Sequence, residues 1–265
     1  MFDLRLIGLL FTIIGLIPST LHSQDEKLPH YPIKKIRKPI SIDGKINERI
    51  WEKAKWTNDF TDITGDKAKR PGFRTRCKIL WDDNHLYIAA ELEEPHLWAT
   101  MTKHDDIIYR EHDFEVFIDP GADQTNYFEI EVNALNTTME LFMNKPYNKG
   151  GNYDLNWNAE GMISAVKLQG SLNDQNDIDT AWTLEMMIPF KALQKEGRPY
   201  KPKKGSTWRI NFSRVEWDME MKEGKYGVKR NDQGKKMPEN NWVWSPIGFV
   251  NMHIPEKWGY VYFID

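Results

Sequence analysis

The chain has a single cysteine, Cys77, in 265 residues. That excludes an internal disulfide, and it excludes a c-type haem attachment, which needs two thiols in one short motif. Cys77 sits in an apolar-alternating run and reads as a buried core thiol. Neither sign of charge is in excess: 36 basic and 39 acidic side chains leave a formal net charge of −3. Nucleic acid, which calls for a strongly basic face, is not an expected partner. The basic clusters KKIRK (Lys34 to Lys38) and KPKK (Lys201 to Lys204) flank prolines and read as solvated loops. The sequence also has no Gly-rich phosphate loop, G-x-S-x-G elbow or H-E-x-x-H pair. Acid–base carboxylates leave little local signature, so hydrolysis by paired carboxyls stays open.

Long apolar runs are scarce. The one that stands out, Leu6 to Ile17, follows Arg5 and leads through Pro18 and small residues to Ser23. It is short for a membrane span and has the layout of a secretory signal peptide. We expect a leader over 1–23, a polar, proline-bearing linker over 24–38, and one domain over 39–265, with no membrane span after cleavage. Export without disulfides suits a secreted, periplasmic or cell-surface protein.

Strand signals dominate that domain. Phe73 to Trp81 and Leu86 to Leu92 alternate around an Asp82-Asp83-Asn84 turn. His112 to Ile118, Tyr127 to Ala134, Thr137 to Met143, Gly161 to Leu168, Ala181 to Ile188, Thr207 to Val215 and Gly259 to Ile264 continue the series. Helix signals are few and short: Asn47 to Ala54, with Asn47 as cap, and Phe190 to Gln194 after Pro189. Many short strands joined by turns predict an all-β fold, an antiparallel sandwich of two sheets with a few short helices.

EVFIDPGADQTNYFEIEVNA, Glu115 to Ala134, holds the main chemical question. Its second run puts Phe128, Ile130 and Val132 on one face and Tyr127, Glu129, Glu131 and Asn133 on the other. Asp113 and Glu115 lie in the first run. Carboxylates so close must be matched by an Arg, a cation or a raised pKa. Arg110, Arg209 and Arg214 are the candidate partners, the last two on opposite faces of one strand. The carboxylates suit hydrogen-bond acceptors for sugar hydroxyls, a glycosidase pair, or metal ligands. The loop DPGADQTN offers Asp119, Asp123 and Asn126 to calcium, or forms an Asx-rich turn that needs no ion. Trp is abundant, 11 residues. Trp51, Trp56, Trp182 and Trp208 fall at core positions. Trp98, Trp157, Trp217, Trp242, Trp244 and Trp258 lie in or near loops, where a ring stacks on a sugar or plugs the end of a sandwich.

PISIDGKINERIWEKA, KILWDDNHLYIAAEL, HDFEVFIDP, WTLEMMIPFKAL and KWGYVYF occur here in the order seen in carbohydrate-binding module family 9-like domains. From Pro39 onward the chain resembles the single-domain exported bacterial members. The resemblance implies an immunoglobulin-like β-sandwich of the DOMON-like superfamily, and a glycan site often described with bound calcium. In sugar-binding members two Trp rings sandwich a terminal sugar. Tyr109 occupies the first of those places, and the second falls near Met252, with His253 and Trp258 beside it. Glu115 matches a Glu that contacts sugar hydroxyls. Glu131 stands where such members carry an Arg, and Asn133 is retained. With Arg214 and a wall formed by the loop from Trp244 to Trp258, these residues make the expected site for an oligosaccharide or polysaccharide, without catalysis. Two alternatives accompany it. One is haem b on Met252 or His253 with a second ligand among His85, His96, His104 and His112; the other is a glycoside hydrolase.

Overall fold

The computed structural model describes residues 28–65, 68–222 and 224–265; the expected leader over 1–23 lies outside them. The first half of the chain supplies β1 (His30–Lys35), β2 (Thr61–Asp62), β3 (Thr75–Trp81), β4 (His85–Glu93), β5 (Asp113–Asp119), β6 (Tyr127–Asn133) and β7 (Thr138–Met143). There follow β8 (Tyr153–Asp154), β9 (Ile163–Gln169), β10 (Ala181–Pro189), β11 (Gln194–Lys195), β12 (Arg198–Pro199) and β13 (Thr207–Glu216). The series closes with β14 (Met219–Lys222), β15 (Lys225–Val228), β16 (Asn240–Val243) and β17 (Gly259–Ile264). Among the described residues no helix is long and apolar enough to cross a membrane.

The fold is all-β, as the strand signals require, but the expected pair of antiparallel sheets is in fact one curled sheet of 13 strands. Its path is β8-β7-β6-β5-β13-β17-β1-β3-β4-β10-β9, with β16 attached to β13 and β2 to β16. The sheet is mixed, because β1 runs parallel to both β17 and β3. The curl brings its two ends face to face. Phe114, Val116, Phe128, Ile130 and Phe212 from β5, β6 and β13 meet Cys77, Ile79, Ile88 and Met186 from β3, β4 and β10 in one core. Each such fully buried side chain contributes about 1.5–3 kcal/mol of transfer free energy.

The expected α-helices are absent among the described residues. Asn47 to Ala54 yields a 3-10 helix over Arg49–Lys53 with no side-chain cap. Phe190 to Gln194 forms turns that drop Phe190, Ala192 and Leu193 into the core. The expected linker also needs correcting, because 30–35 within it is β1. Register fixes this strand: Ile33 pairs with Phe263 and is fully buried, while Tyr31 donates to Lys55 O.

Two further apolar clusters cover the outside of the curl. Trp51, Leu80 and Tyr87 lie over β3 and β4. Phe117, Tyr127, Leu141, Met252 and Trp258 lie over β5, β6 and β7. Hence β5 and β6 are buried on both faces, every residue of each. Polar residues that alternation sends outward on this hairpin are withdrawn from water as well. That is what shapes the site.

A chain beginning at Pro39 is expected not to fold, since it lacks the strand that joins β17 to β3. Ile33→Ala should fold with a loss of about 2–5 kcal/mol. Urea denaturation monitored by Trp fluorescence reads both, and wild-type stability in the truncated chain would contradict the topology.

Candidate functional site

Strand alternation aims Asp113, Glu115, Phe117 and Asp119 of β5, and Tyr127, Glu129, Glu131 and Asn133 of β6, away from the common core. The ladder sets Glu115 directly against Glu131, Phe117 against Glu129 and Asp113 against Asn133. On the same face of β13, Ser213 lies opposite Glu115. Segments from elsewhere wall this face and leave a cavity of about 510 Å³, open on one side. Glu115, Glu129 and Glu131 form its polar floor, with Phe117, Met139 and Leu141 alongside. Tyr109, Tyr147 and Tyr153 stand on its rim, 44%, 43% and 56% exposed. Asn241, Asn251, Met252 and His253 close the other side.

The carboxylates are short of partners. Glu131 Oε2 accepts from Tyr109 N at 3.1 Å, and Asp113 Oδ1 from Val215 N at 3.1 Å. Asp113 Oδ2, Glu115 Oε2 and Glu129 Oε2 are buried without a donor. The nearest cationic candidate, His253 Nε2, stands 3.7 Å from Glu129, and burial pulls the His253 pKa down to about 4. Its Nδ1 shares a 3.1 Å hydrogen bond with the Tyr127 hydroxyl. Burial, with like-charged neighbours, pushes Asp113, Glu129 and Glu131 well above the usual carboxylate range. Burial lifts Glu115 to about 7, against the neighbouring Ser213 hydroxyl.

Several expected site residues therefore meet here: Tyr109, Glu115, Glu131, Met252 and His253 all line the cavity. Others do not. Arg214 shares the parity of Phe212 on β13 and points to the core side. There it is 1% exposed and bonded to Glu94 at 2.6 Å and Glu216 at 2.8 Å. Arg209 is on the cavity side but donates to Glu256 O at 2.8 Å and Trp258 O at 2.7 Å. Trp244 packs on Phe212 and Tyr31 in the core, pressed on β17 so closely that a Cβ at Gly259 would lie 2.4 Å from its ring. Asn133 is fully buried; its Nδ2 donates to Met101 O and its Oδ1 accepts from Leu135 N and Thr137 N, which closes the β6–β7 turn.

None of the 11 Trp residues lines the cavity. Trp242 and Trp258 are buried plugs, and Trp157 packs on Phe128 at 4.7 Å. The exposed aromatic rings on its rim are tyrosines instead. Tyr147 and Tyr153 were missed by sequence reasoning; their only signal is two aromatics in the Gly- and Asn-rich stretch PYNKGGNYD. Glu239, Asn241 and Asn251 carry no local signal at all.

The calcium candidates form a self-contained turn. Asp119 Oδ2 accepts from Gln124 N at 2.8 Å, and Asp123 Oδ1 from Thr125 N and Oγ1 at 3.0 and 2.8 Å. Asn126 Nδ2 donates to Thr125 Oγ1 at 2.9 Å. The turn closes on its own hydrogen bonds, as an Asx-rich turn that needs no ion does, and Asp119 Oδ1 is buried in it without a partner.

Glycoside hydrolysis needs two carboxyls whose pKa values are pushed apart, one kept as acid and one ionised. Here burial raises all four in the same direction. A porphyrin face calls for a largely apolar slot, whereas Met252 and His253 look onto buried carboxyls. What the arrangement does offer is exposed π-faces above strong, unfilled acceptors.

The profile of the carbohydrate family 9 binding domain-like proteins matches residues 42–247, and the chain belongs to that family. Among curated proteins it is similar to endo-1,4-beta-xylanase C of Paenibacillus barcinonensis, 32% identical over 89 residues, which are 34% of this chain and 7% of that protein. It is also similar to exoglucanase XynX of Acetivibrio thermocellus, 28% identical over 152 residues, 57% of this chain and 12% of that protein. The chain thus matches only a small part of these long relatives. Among solved structures, a candidate carbohydrate-binding protein from Bacteroides uniformis aligns with a TM-score of 0.63 at 16% identity, covering 89% of this chain and 99% of that one. A family 9 carbohydrate-binding module from Caldicellulosiruptor kristjanssonii in complex with cellotriose aligns with a TM-score of 0.55 at 18% identity, covering 89% and 93%. The likenesses to solved structures establish the fold.

The pKa shifts predict a pH dependence. Carboxyls raised in the fold, Glu115 from 4.5 to about 7, keep protons that the unfolded chain releases. Stability therefore falls as pH climbs through that window. His112 acts in the same direction: Glu216 and Glu94 raise it above 6.5 despite burial, so its contribution is present below 6.5 and lost above its folded pKa. The metal-free protein should melt higher at pH 5 than at pH 8. Glu131→Gln, which removes one buried charge, should raise the pH 8 melting temperature by about 2–4 °C for each kcal/mol relieved. A melting temperature that rises toward pH 8 would refute this.

Proposed function

We propose that this chain is an exported carbohydrate-binding protein that holds a saccharide in the cavity over β5, β6 and β13. The observation that carries the reading is the pairing of exposed rings at Tyr109, Tyr147 and Tyr153 with buried oxygen acceptors on Glu115, Glu129 and Glu131. A pyranose presents both complements at once: axial C–H groups that pack on a π-face and hydroxyls that donate to carboxylates. Asn241 and Asn251 add amide groups at the edge. Family membership supports the ligand class, and the Caldicellulosiruptor modules crystallised with cellotriose and with glucose make those the first sugars to try. Export rests on the leader-like segment from Arg5 to Ser23 and puts the protein in contact with glycans outside the cytoplasm.

A glycan array followed by calorimetry tests the reading. Tyr109→Ala and Glu115→Gln should leave the fold intact and weaken binding. Loss of a hydrogen bond to a charged group is worth about 1.5–3 kcal/mol, or roughly 10–100-fold in affinity. Unchanged affinity in both variants would remove this cavity as the binding site.

A further inference from the structure

The floor of the cavity holds an arrangement that a neutral sugar does not by itself explain. One oxygen from each of Asp113, Glu115 and Glu131 lies within 4.8 Å of the other two. These side chains are 0%, 5% and 1% exposed. Among the described residues no lysine or arginine lines the cavity. Asp113 Oδ2 and Glu115 Oε2 are buried and accept nothing.

Two groups outside the trio point to the same place. Ser213 Oγ is fully buried, faces Glu115 across the β5–β13 ladder, and has no partner of hydrogen-bond geometry, although it is near enough to favour the charged form of Glu115. Glu129, also buried, leaves its Oε2 without a donor. A cluster of this kind is not general in the molecule. Glu94, His112 and Glu216 also converge, but Arg214 already neutralises them at 2.6 and 2.8 Å. At Asp43, Glu48 and Glu185, Glu48 Oε2 is also unpartnered, but the Glu185 oxygens are filled by Asp43 N, Gly44 N and Trp51 Nε1, and Lys45 pairs with Asp43 at 3.1 Å. Among the described residues, the trio on β5 and β6 alone combines close carboxylates, unfilled oxygens and no resident counter-charge.

An all-oxygen donor set suits a hard cation, and calcium–oxygen bonds of about 2.3–2.6 Å require any two ligands of one ion to lie no more than about 4.6–5.2 Å apart, a limit the trio meets. We infer that Asp113, Glu115 and Glu131 form a site for a divalent cation of calcium's size at the floor of the cavity, and that the seated ion offers its remaining coordination positions to vicinal hydroxyls of the bound sugar. Glu115 and Glu131 line the open cavity, so an ion between them faces the ligand side. The bridging to sugar rests on the carbohydrate reading; the ion site does not.

Calcium titrated calorimetrically into the EDTA-stripped protein at pH 7.5, with no saccharide present, tests the site. A binding event is expected that weakens at least tenfold in Glu131→Gln and in Asp113→Asn and is unchanged in Asp123→Asn, which alters only the β5–β6 turn. Near-UV circular dichroism checks each variant's fold; should Asp113→Asn not fold, Glu131→Gln carries the comparison, with terbium luminescence as a second readout. No calcium binding, or binding that persists in Glu131→Gln, would overturn the inference. So would amine-bearing glucosamine oligomers binding at the trio in EDTA while calcium does not. Saccharide binding that is equal in EDTA and in calcium would overturn the bridging role and leave the carbohydrate reading standing. Calcium binding at the trio with a blank glycan array would support the ion site and remove the carbohydrate reading.

Discussion

The hairpin of β5 and β6 is buried on both faces, and the candidate site follows from that constraint. Inward, Phe114, Val116, Phe128 and Ile130 join the common core. Outward, the same alternation must deliver Glu115, Glu129 and Glu131 to a surface that other segments cover. Burying an ionised carboxylate without a partner is costly, so the groups hold their protons or await a cation. A folded chain tolerates such a cluster only where the remaining structure over-determines it. Here the ladder, the Tyr109 N–H bond to Glu131 and the Val215 N–H bond to Asp113 fix the side chains in place.

The contrast with the Arg214 network shows that the fold can neutralise buried acids when residues are supplied for it. Burial raises Glu94, but His112 and Arg214 more than reverse this and its pKa falls to about 2. Arg214 also donates to Thr75 Oγ1 and Glu93 O at 3.1 and 2.8 Å, joining β13 to β3 and β4. Losing one member of such a buried network leaves an uncompensated charge, at a cost of about 3–5 kcal/mol. That network borders a second cavity, of about 330 Å³, but carries its own counter-charge. The cluster on β5 and β6 is open on the cavity side and unneutralised, which is the condition of a binding surface.

Much of this was legible in the chain. Period-two alternation in DFEVFID and YFEIEVN places the acids on one face, and resemblance to the family picks out Tyr109, Glu115, Met252 and His253. The rest depended on long-range structure. Arg214 and Arg209 lie on opposite faces of β13, as expected, but which face looks onto the cavity is decided by how β13 pairs with β5. Trp244 reads as a loop aromatic, yet its backbone bonds to Phe212 O and sends its ring into the core. HYPIKK, with two lysines, a histidine and a proline, resembles a linker; only its pairing with a strand at the far end of the chain makes it β1. Asn133, a polar residue on the correct face, is consumed by its own turn.

The claim on which the rest stands is that the acids under the cavity are not neutralised by the protein itself. A carboxyl carbon-13 NMR titration of Asp- and Glu-labelled, metal-free protein measures this directly. The resonances of Asp113, Glu129 and Glu131, assigned through single Asn or Gln variants, are expected to titrate at clearly higher pH than those of the exposed carboxyls. Titration of all three near pH 4, with the surface acids, would contradict it.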